Sequence, residues 1–124
     1  MKMTSIRRTA IRASILTGLA LCASQQVSAH AALQSSTPAA DSTVGSPKNI
    51  ELHFSEALSP KLTRITLKSD EGAIQPITLI EPKDPASVTV MPNTSLNKGL
   101  YTVSWSVVAN DGHKTQGSFN FTVR

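Results

Sequence analysis

Apolar and polar residues alternate along several short stretches between residues 50 and 123. In the clearest of these, residues 50–54 (IELHF) and 101–108 (YTVSWSVV), every second side chain is aliphatic or aromatic. A period of two is typical of β-strands that bury one face, and no stretch after residue 29 shows the 3.6-residue apolar period of a helix. Further short runs rich in apolar or β-branched residues occupy residues 64–69, 77–81, 87–92 and 118–123.

Turn-forming residues divide these stretches into about seven strands. Clusters of Gly, Pro, Asn, Asp and Ser, which mark turns, occur at residues 46–47, 70–72, 82–85, 92–93 and 110–112. About seven short strands in about 95 residues predict an all-β fold, a single immunoglobulin-like antiparallel β-sandwich with Greek-key connections. We expect Tyr101, which follows the sequence NKGL, to form a tyrosine corner, and Trp105 to fill the core.

The first 29 residues have the composition of a secretory signal peptide. Four basic residues precede an apolar run at residues 13–23, and residues 27–29 (VSA) provide the small side chains of a cleavage site. The apolar run is too short to span a bilayer, which argues against an uncleaved anchor. We therefore predict cleavage after Ala29, with residues 1–29 as the signal peptide. Residues 30–124 are the exported domain, and we expect no stable membrane insertion after cleavage.

Removal of the first 29 residues changes the charge and the cysteine content. The whole chain carries a net charge of +4, but residues 30–124 contain eight basic and eight acidic residues. This balance gives no reason to expect nucleic acid as a partner. Cys22, the one cysteine of the sequence, leaves with the signal, and Met91 is the single methionine that remains. Any metal site in the domain must therefore be built from nitrogen and oxygen ligands.

Three histidines remain in the domain, and two of them can share a site with an aspartate. Asp111 and His113 are two positions apart in a turn before the last strand, so their side chains can converge on one point. Taken alone, this pattern is more often a solvated turn. As the first residue of the mature domain, His30 would add a free amine and its ring Nδ1, which can close one chelate ring. Three nitrogens and one carboxylate suit a tetragonal Cu(II) ion, with Zn(II) as the competing metal. Such a site requires the first strand to run beside the turn.

Several motifs follow one another along the domain in a specific order. They are residues 30–33 (HAAL), 35–39 (SSTPA), 50–56 (IELHFSE), 99–113 (GLYTVSWSVVANDGH) and 117–123 (GSFNFTV). In this order they resemble the CopC family of copper resistance proteins over the whole domain. The resemblance implies a periplasmic copper carrier on a cupredoxin-like or immunoglobulin-like β-sandwich, with one Cu(II) ion per chain.

The resemblance also implies which residues bind copper. Carried over to this sequence, the ligands are His30, through its amine and imidazole, together with Asp111 and His113. Glu56 matches a further carboxylate near the copper, which would orient the amine or a bound water. His53 belongs to the same motif, and we expect it to be structural. A CopD-type protein of the inner membrane is the implied recipient of the copper, and we expect the carrier to be a monomer.

The chain departs from the family pattern in its methionines. Some members hold Cu(I) in a methionine-rich stretch with another histidine, whereas residues 67–91 contain Met91 and no histidine. We therefore expect one Cu(II) site. We also expect no enzymatic activity, because the domain is small, has few aromatic residues to spare for a substrate surface, and offers the Asp111 carboxylate as a ligand where oxygen would have to bind. Two alternatives remain open at this point. One is a copper monooxygenase that uses the same arrangement of an amine and two imidazoles, and the other is a metal-free immunoglobulin-like interaction module.

Overall fold

Two β-sheets account for most of the regular structure in residues 30–124, the part of the chain that the computed structural model describes. The strands are β1 (Leu33–Thr37), β2 (Thr43–Val44), β3 (Ile50–Phe54), β4 (Arg64–Ser69), β5 (Ile74–Gln75), β6 (Ile77–Ile80), β7 (Ser87–Pro92), β8 (Gly99–Val108) and β9 (Lys114–Val123). A short 3-10 turn, Pro60–Leu62, precedes β4. Within the described range, no helix is long and apolar enough to cross a membrane. The predicted signal peptide lies outside the described residues.

The strands form a sandwich of a four-stranded and a five-stranded sheet. The strand order is β1-β3-β7-β6 in the first sheet and β2-β9-β8-β4-β5 in the second. The longest pairing is the β8–β9 hairpin, which runs from Gly99 opposite Val123 to Val108 opposite Lys114. This architecture confirms the predicted all-β sandwich.

The alternation along the sequence determines which faces are buried. In β3, Ile50, Leu52 and Phe54 are at most 3% exposed, while the two residues between them are half-buried on the outer face. In β8 the same alternation turns Trp105 inward, where its ring meets Phe54 edge to face with centroids 5.1 Å apart. Apolar side chains of both sheets thus fill one continuous core, and removing them from water is the main driving force for folding.

The strand boundaries differ in detail from those expected from the sequence. β9 begins at Lys114 and not near Ser118, because its first residues pair with β8 at an exposed end where the apolar alternation is absent. β2 and β5 are two residues each, too short to show a period. β2 also runs parallel to β9, so the second sheet is not wholly antiparallel. The chain enters β2 after Asp41, whose φ is 61° and whose N–H donates to the Asn120 carbonyl.

The predicted tyrosine corner is present at the start of β8. The hydroxyl of Tyr101 donates a hydrogen bond of 2.8 Å to the carbonyl oxygen of Asn97. The ring is 4% exposed and stacks on Phe121 with centroids 5.7 Å apart. The hydrogen bond from the buried phenol therefore holds the loop before β8 against the core.

Replacing Tyr101 by phenylalanine should lower the free energy of unfolding by about 1 kcal/mol, because the Asn97 carbonyl loses its partner while the ring packing is kept. Urea denaturation measures this change. Thr102→Val is the matched control, since Thr102 donates its hydroxyl proton to Asn120 on the exposed face. An equal loss in both variants would contradict a special role for the buried phenol.

Candidate metal centre

The β8–β9 hairpin ends in a tight turn that carries two of the candidate ligands. The N–H of Gly112 donates to the Ala109 carbonyl at 2.9 Å, and the N–H of Ala109 donates to the His113 carbonyl at 3.0 Å. Gly112 has a φ of 90°, a conformation that glycine adopts without a steric penalty. This bonding is that of a three-residue hairpin loop with a glycine of positive φ. We call residues 109–113 the hairpin tip.

Asp111 and His113 are held together by two contacts. Oδ1 of Asp111 accepts the backbone N–H of His113 at 2.9 Å, and Oδ2 lies 2.9 Å from Nδ1 of the His113 ring. These two hydrogen bonds lower the pKa of Asp111 below its usual value, and the bond from the backbone N–H has the larger effect. The side chains are 37% and 57% exposed, respectively. An anionic carboxylate and an imidazole thus stand together at a surface that an ion can reach.

Residues 30–32, which we call the N-terminal arm, begin beside the hairpin tip and continue along the chain into β1. The ring centroids of His30 and His113 are 4.6 Å apart, with the ring planes at 79°. The next residue, Ala31, is 1% exposed, and its carbonyl accepts a hydrogen bond of 2.7 Å from the Thr115 hydroxyl. The arm itself, and not β1, is therefore the segment that lies beside the turn.

Two hydroxyl residues that hold the arm were not among the predicted site residues. Besides Thr115, Ser55 contacts the arm: its Oγ accepts the N–H of Ala32 at 2.9 Å and donates to the His30 carbonyl at 3.3 Å. The sequence signal for Ser55 is its place in the motif IELHFSE, directly after the buried Phe54. Thr115 gives no such signal, because threonine is common in strands.

The other residues singled out in the sequence lie outside this contact. Glu56 is exposed, just beyond the end of β3 and next to Ser55. His53 is half-buried on the outer face of the first sheet, with its Nε2 3.6 Å from a carboxylate oxygen of Glu51. The structure thus brings His30, Asp111 and His113 together and leaves the imidazole of His53 on a different surface.

The side chains of the candidate ligands do not by themselves form a preformed metal site. Within residues 30–124, no group of three or more His, Cys, Asp or Glu side chains is arranged to hold a metal ion. Side chains are only part of the candidate donor set, which also includes the backbone nitrogen of His30. That atom is a peptide nitrogen as long as Ala29 precedes it, and cleavage after Ala29 would convert it into an amine.

Comparisons with known proteins agree with these motifs and with this fold. The family model described as the CopC domain matches residues 33–124. Copper resistance protein C of Escherichia coli is 36% identical over 120 residues, which cover 90% of this chain and 95% of that protein. Protein YobA of Escherichia coli strain K12 is 37% identical over 99 residues, covering 77% of this chain and 80% of YobA.

Solved structures show the same sandwich. PcoC, a methionine-rich copper resistance protein from Escherichia coli, superposes with a TM-score of 0.72 at 35% identity, over 77% of this chain and 100% of PcoC. CopC from Methylosinus trichosporium OB3b gives a TM-score of 0.70 at 29% identity, over 76% of this chain and 93% of that protein. Family model, relatives and fold all agree, and the chain belongs to the CopC family.

Proposed function

We propose that residues 30–124 form a periplasmic Cu(II)-binding protein that sequesters or delivers copper and catalyses no reaction. The observation that carries this proposal is the approach of His30 to His113, with ring centroids 4.6 Å apart, at a surface shared with Asp111. The relatives named as copper resistance proteins support copper as the cargo.

The proposed ligands are the amine and imidazole of His30, the imidazole of His113 and the carboxylate of Asp111. Nδ1 of His113 and Oδ2 of Asp111 face each other at 2.9 Å, so a copper ion bound by both groups would take the place of this hydrogen bond. Three nitrogens and one oxygen suit Cu(II), which also binds most tightly among the divalent first-row metals.

A single Cu(II) ion per chain is the proposed stoichiometry. Cu(I) prefers soft thioether or thiolate ligands, and residues 30–124 contain no cysteine and the single methionine Met91. PcoC, by contrast, is described as methionine-rich. The donor set of this chain therefore favours a carrier for the divalent ion.

Delivery to a CopD-type membrane protein by a monomeric carrier is the proposed biological setting. Signal cleavage after Ala29 would both release the domain into the periplasm and create the amine. A monooxygenase is less consistent with the proposed ligands, because the Asp111 carboxylate, as a ligand, would occupy coordination space that a monooxygenase needs for oxygen. Formation of oxidised products when a polysaccharide is incubated with the copper-loaded protein and ascorbate would instead favour the enzyme.

A Cu(II) titration followed by electron paramagnetic resonance tests the proposal. The protein must be the processed form, with its mass confirmed to begin at His30. We expect one equivalent of tightly bound Cu(II) with a tetragonal, nitrogen-rich spectrum. No stoichiometric binding would refute the carrier function and leave a β-sandwich interaction module.

Replacing His113 by alanine should weaken Cu(II) binding by at least about a hundredfold, because removing groups that only orient a ligand already costs about 10- to 100-fold. His53→Ala is the matched control, since His53 lies on the outer face of the first sheet beside Glu51; we expect its affinity to equal that of the wild type. Competition titration against a chelator of known affinity measures both. Equal losses in the two variants would contradict the ligand assignment.

A further inference from the structure

We propose that Ser55 and Thr115 are positioning residues, which hold the N-terminal arm so that the free end of His30 meets the hairpin tip. Neither hydroxyl is proposed to contact copper. Their role depends on the copper site proposed above, and they would act on it through the backbone of residues 30–32.

Ser55 holds the arm from the end of β3. Its Oγ accepts the N–H of Ala32 at 2.9 Å and donates to the His30 carbonyl at 3.3 Å, while its own N–H donates to the Ala32 carbonyl at 2.9 Å. One serine thus satisfies backbone groups of the first and third residues of the arm.

Thr115 holds the arm from the other sheet. It lies on β9, two residues after His113, and its hydroxyl donates to the Ala31 carbonyl at 2.7 Å. Ala31 is 1% exposed, so its methyl group is itself part of the core. The strand that begins directly after His113 therefore also fixes Ala31, the residue that follows His30.

The pairing of β1 with β3 reaches the arm through one backbone bond, from the N–H of Ser55 to the Ala32 carbonyl at 2.9 Å. The first register pair of these strands is Leu33 opposite Phe54, and the register is irregular between Leu33 and Ser35. Residues 30–32 precede that pair in the sequence. The position of the arm therefore depends on the burial of the Ala31 side chain and on the contacts made by Ser55 and Thr115. After cleavage at Ala29, His30 would be the single residue ahead of the anchored Ala31, so the contacts of the arm would keep its backbone close to His113.

The test uses the processed protein and the variants Ser55→Ala and Thr115→Val. We expect each variant to bind Cu(II) about tenfold more weakly and the double variant about a hundredfold more weakly, the range found when groups that orient ligands are removed. The electron paramagnetic resonance spectrum of bound Cu(II) should also change, which a general loss of stability would not produce.

Matched controls separate positioning from folding. Ser118→Ala and Thr122→Val remove hydroxyls on β9 with the same degree of exposure as those of Ser55 and Thr115, and their copper binding should equal that of the wild type. The conservative variants Ser55→Thr and Thr115→Ser keep the hydroxyl, and we expect them to restore most of the affinity. They also keep the test decisive if removal of a hydroxyl impairs folding.

A measurement without copper examines the arm directly. The Ala32 amide should exchange its hydrogen faster in Ser55→Ala than in the wild type, because its acceptor is gone. Unchanged affinity, spectrum and Ala32 exchange in the hydroxyl variants would overturn the positioning role while leaving the copper site intact. Failure of the wild type to bind Cu(II), with faster Ala32 exchange in Ser55→Ala, would overturn the copper function and the positioning role that depends on it, and would leave the arm contacts as purely structural.

Discussion

Adding one methionine ahead of His30 is expected to lower the affinity for Cu(II) by about a thousandfold, equivalent to about 4 kcal/mol. The added residue turns the amine of His30 into a peptide nitrogen, which does not bind Cu(II) near neutral pH without losing its proton. The chelate ring formed with the His30 imidazole is lost with it. The fold should be unaffected, because His30 is exposed and the core begins at Ala31.

Competition titration of the extended and processed forms measures this difference, with thermal unfolding of the copper-free proteins as the check on folding. A form whose extra residue is removed by a specific peptidase provides the control, since it should regain the full affinity. Equal affinity of the extended and processed forms would show that the amine is not a ligand.

Replacing Gly117 by valine is expected to lower the free energy of unfolding by about 3 kcal/mol, the upper range for overfilling a packed site. Gly117 lies opposite Trp105 in the β8–β9 ladder. A Cβ atom at this position would stand 2.5 Å from Cζ2 and 2.9 Å from Cε2 of the indole. The ring cannot move aside freely, because it also packs against Phe54.

Urea denaturation measures the loss, and the emission of Trp105, the one tryptophan of the sequence, reports whether the indole has moved. Ser118→Val is the matched control, because Ser118 is the next residue of β9 and is exposed; its effect should stay within about 0.5 kcal/mol. If Gly117→Val were as stable as the wild type, the close approach of the indole to β9 would not exist in solution.

The parts of the molecule that the sequence predicts best are those decided by neighbouring residues. The buried faces of β3 and β8 follow from a period of two, and the pairing of Asp111 with His113 follows from their spacing in a hairpin turn. Contacts between residues far apart in the sequence leave no local pattern from which they could be predicted. The bond from Thr115 to Ala31 joins positions 84 apart, and the bond from Ser55 to His30 joins positions 25 apart. The first depends on how the two sheets stack, and the second on the pairing of β1 with β3; local alternation encodes neither.

The short strands show the same limit in the fold itself. β2 pairs in parallel with β9 through Thr43 and Val44 alone, and two residues cannot display a period. Its place is determined by the chain reversal around Asp41 and by backbone hydrogen bonds to β9. Tertiary pairing, and not the local preference of these residues, decides that they are a strand.

The N-terminal arm continues into the four-stranded sheet, whereas the hairpin tip belongs to the five-stranded sheet. An ion bound by both would cross-link the two sheets reversibly. The domain cannot form a disulfide for this purpose, because it contains no cysteine after residue 29. A ligand that binds only the folded state raises the free energy of unfolding, by an amount that grows with the ratio of its concentration to its Kd. Copper loading would therefore lengthen the lifetime of the protein against proteases, and the emptied carrier would be the form that is degraded first.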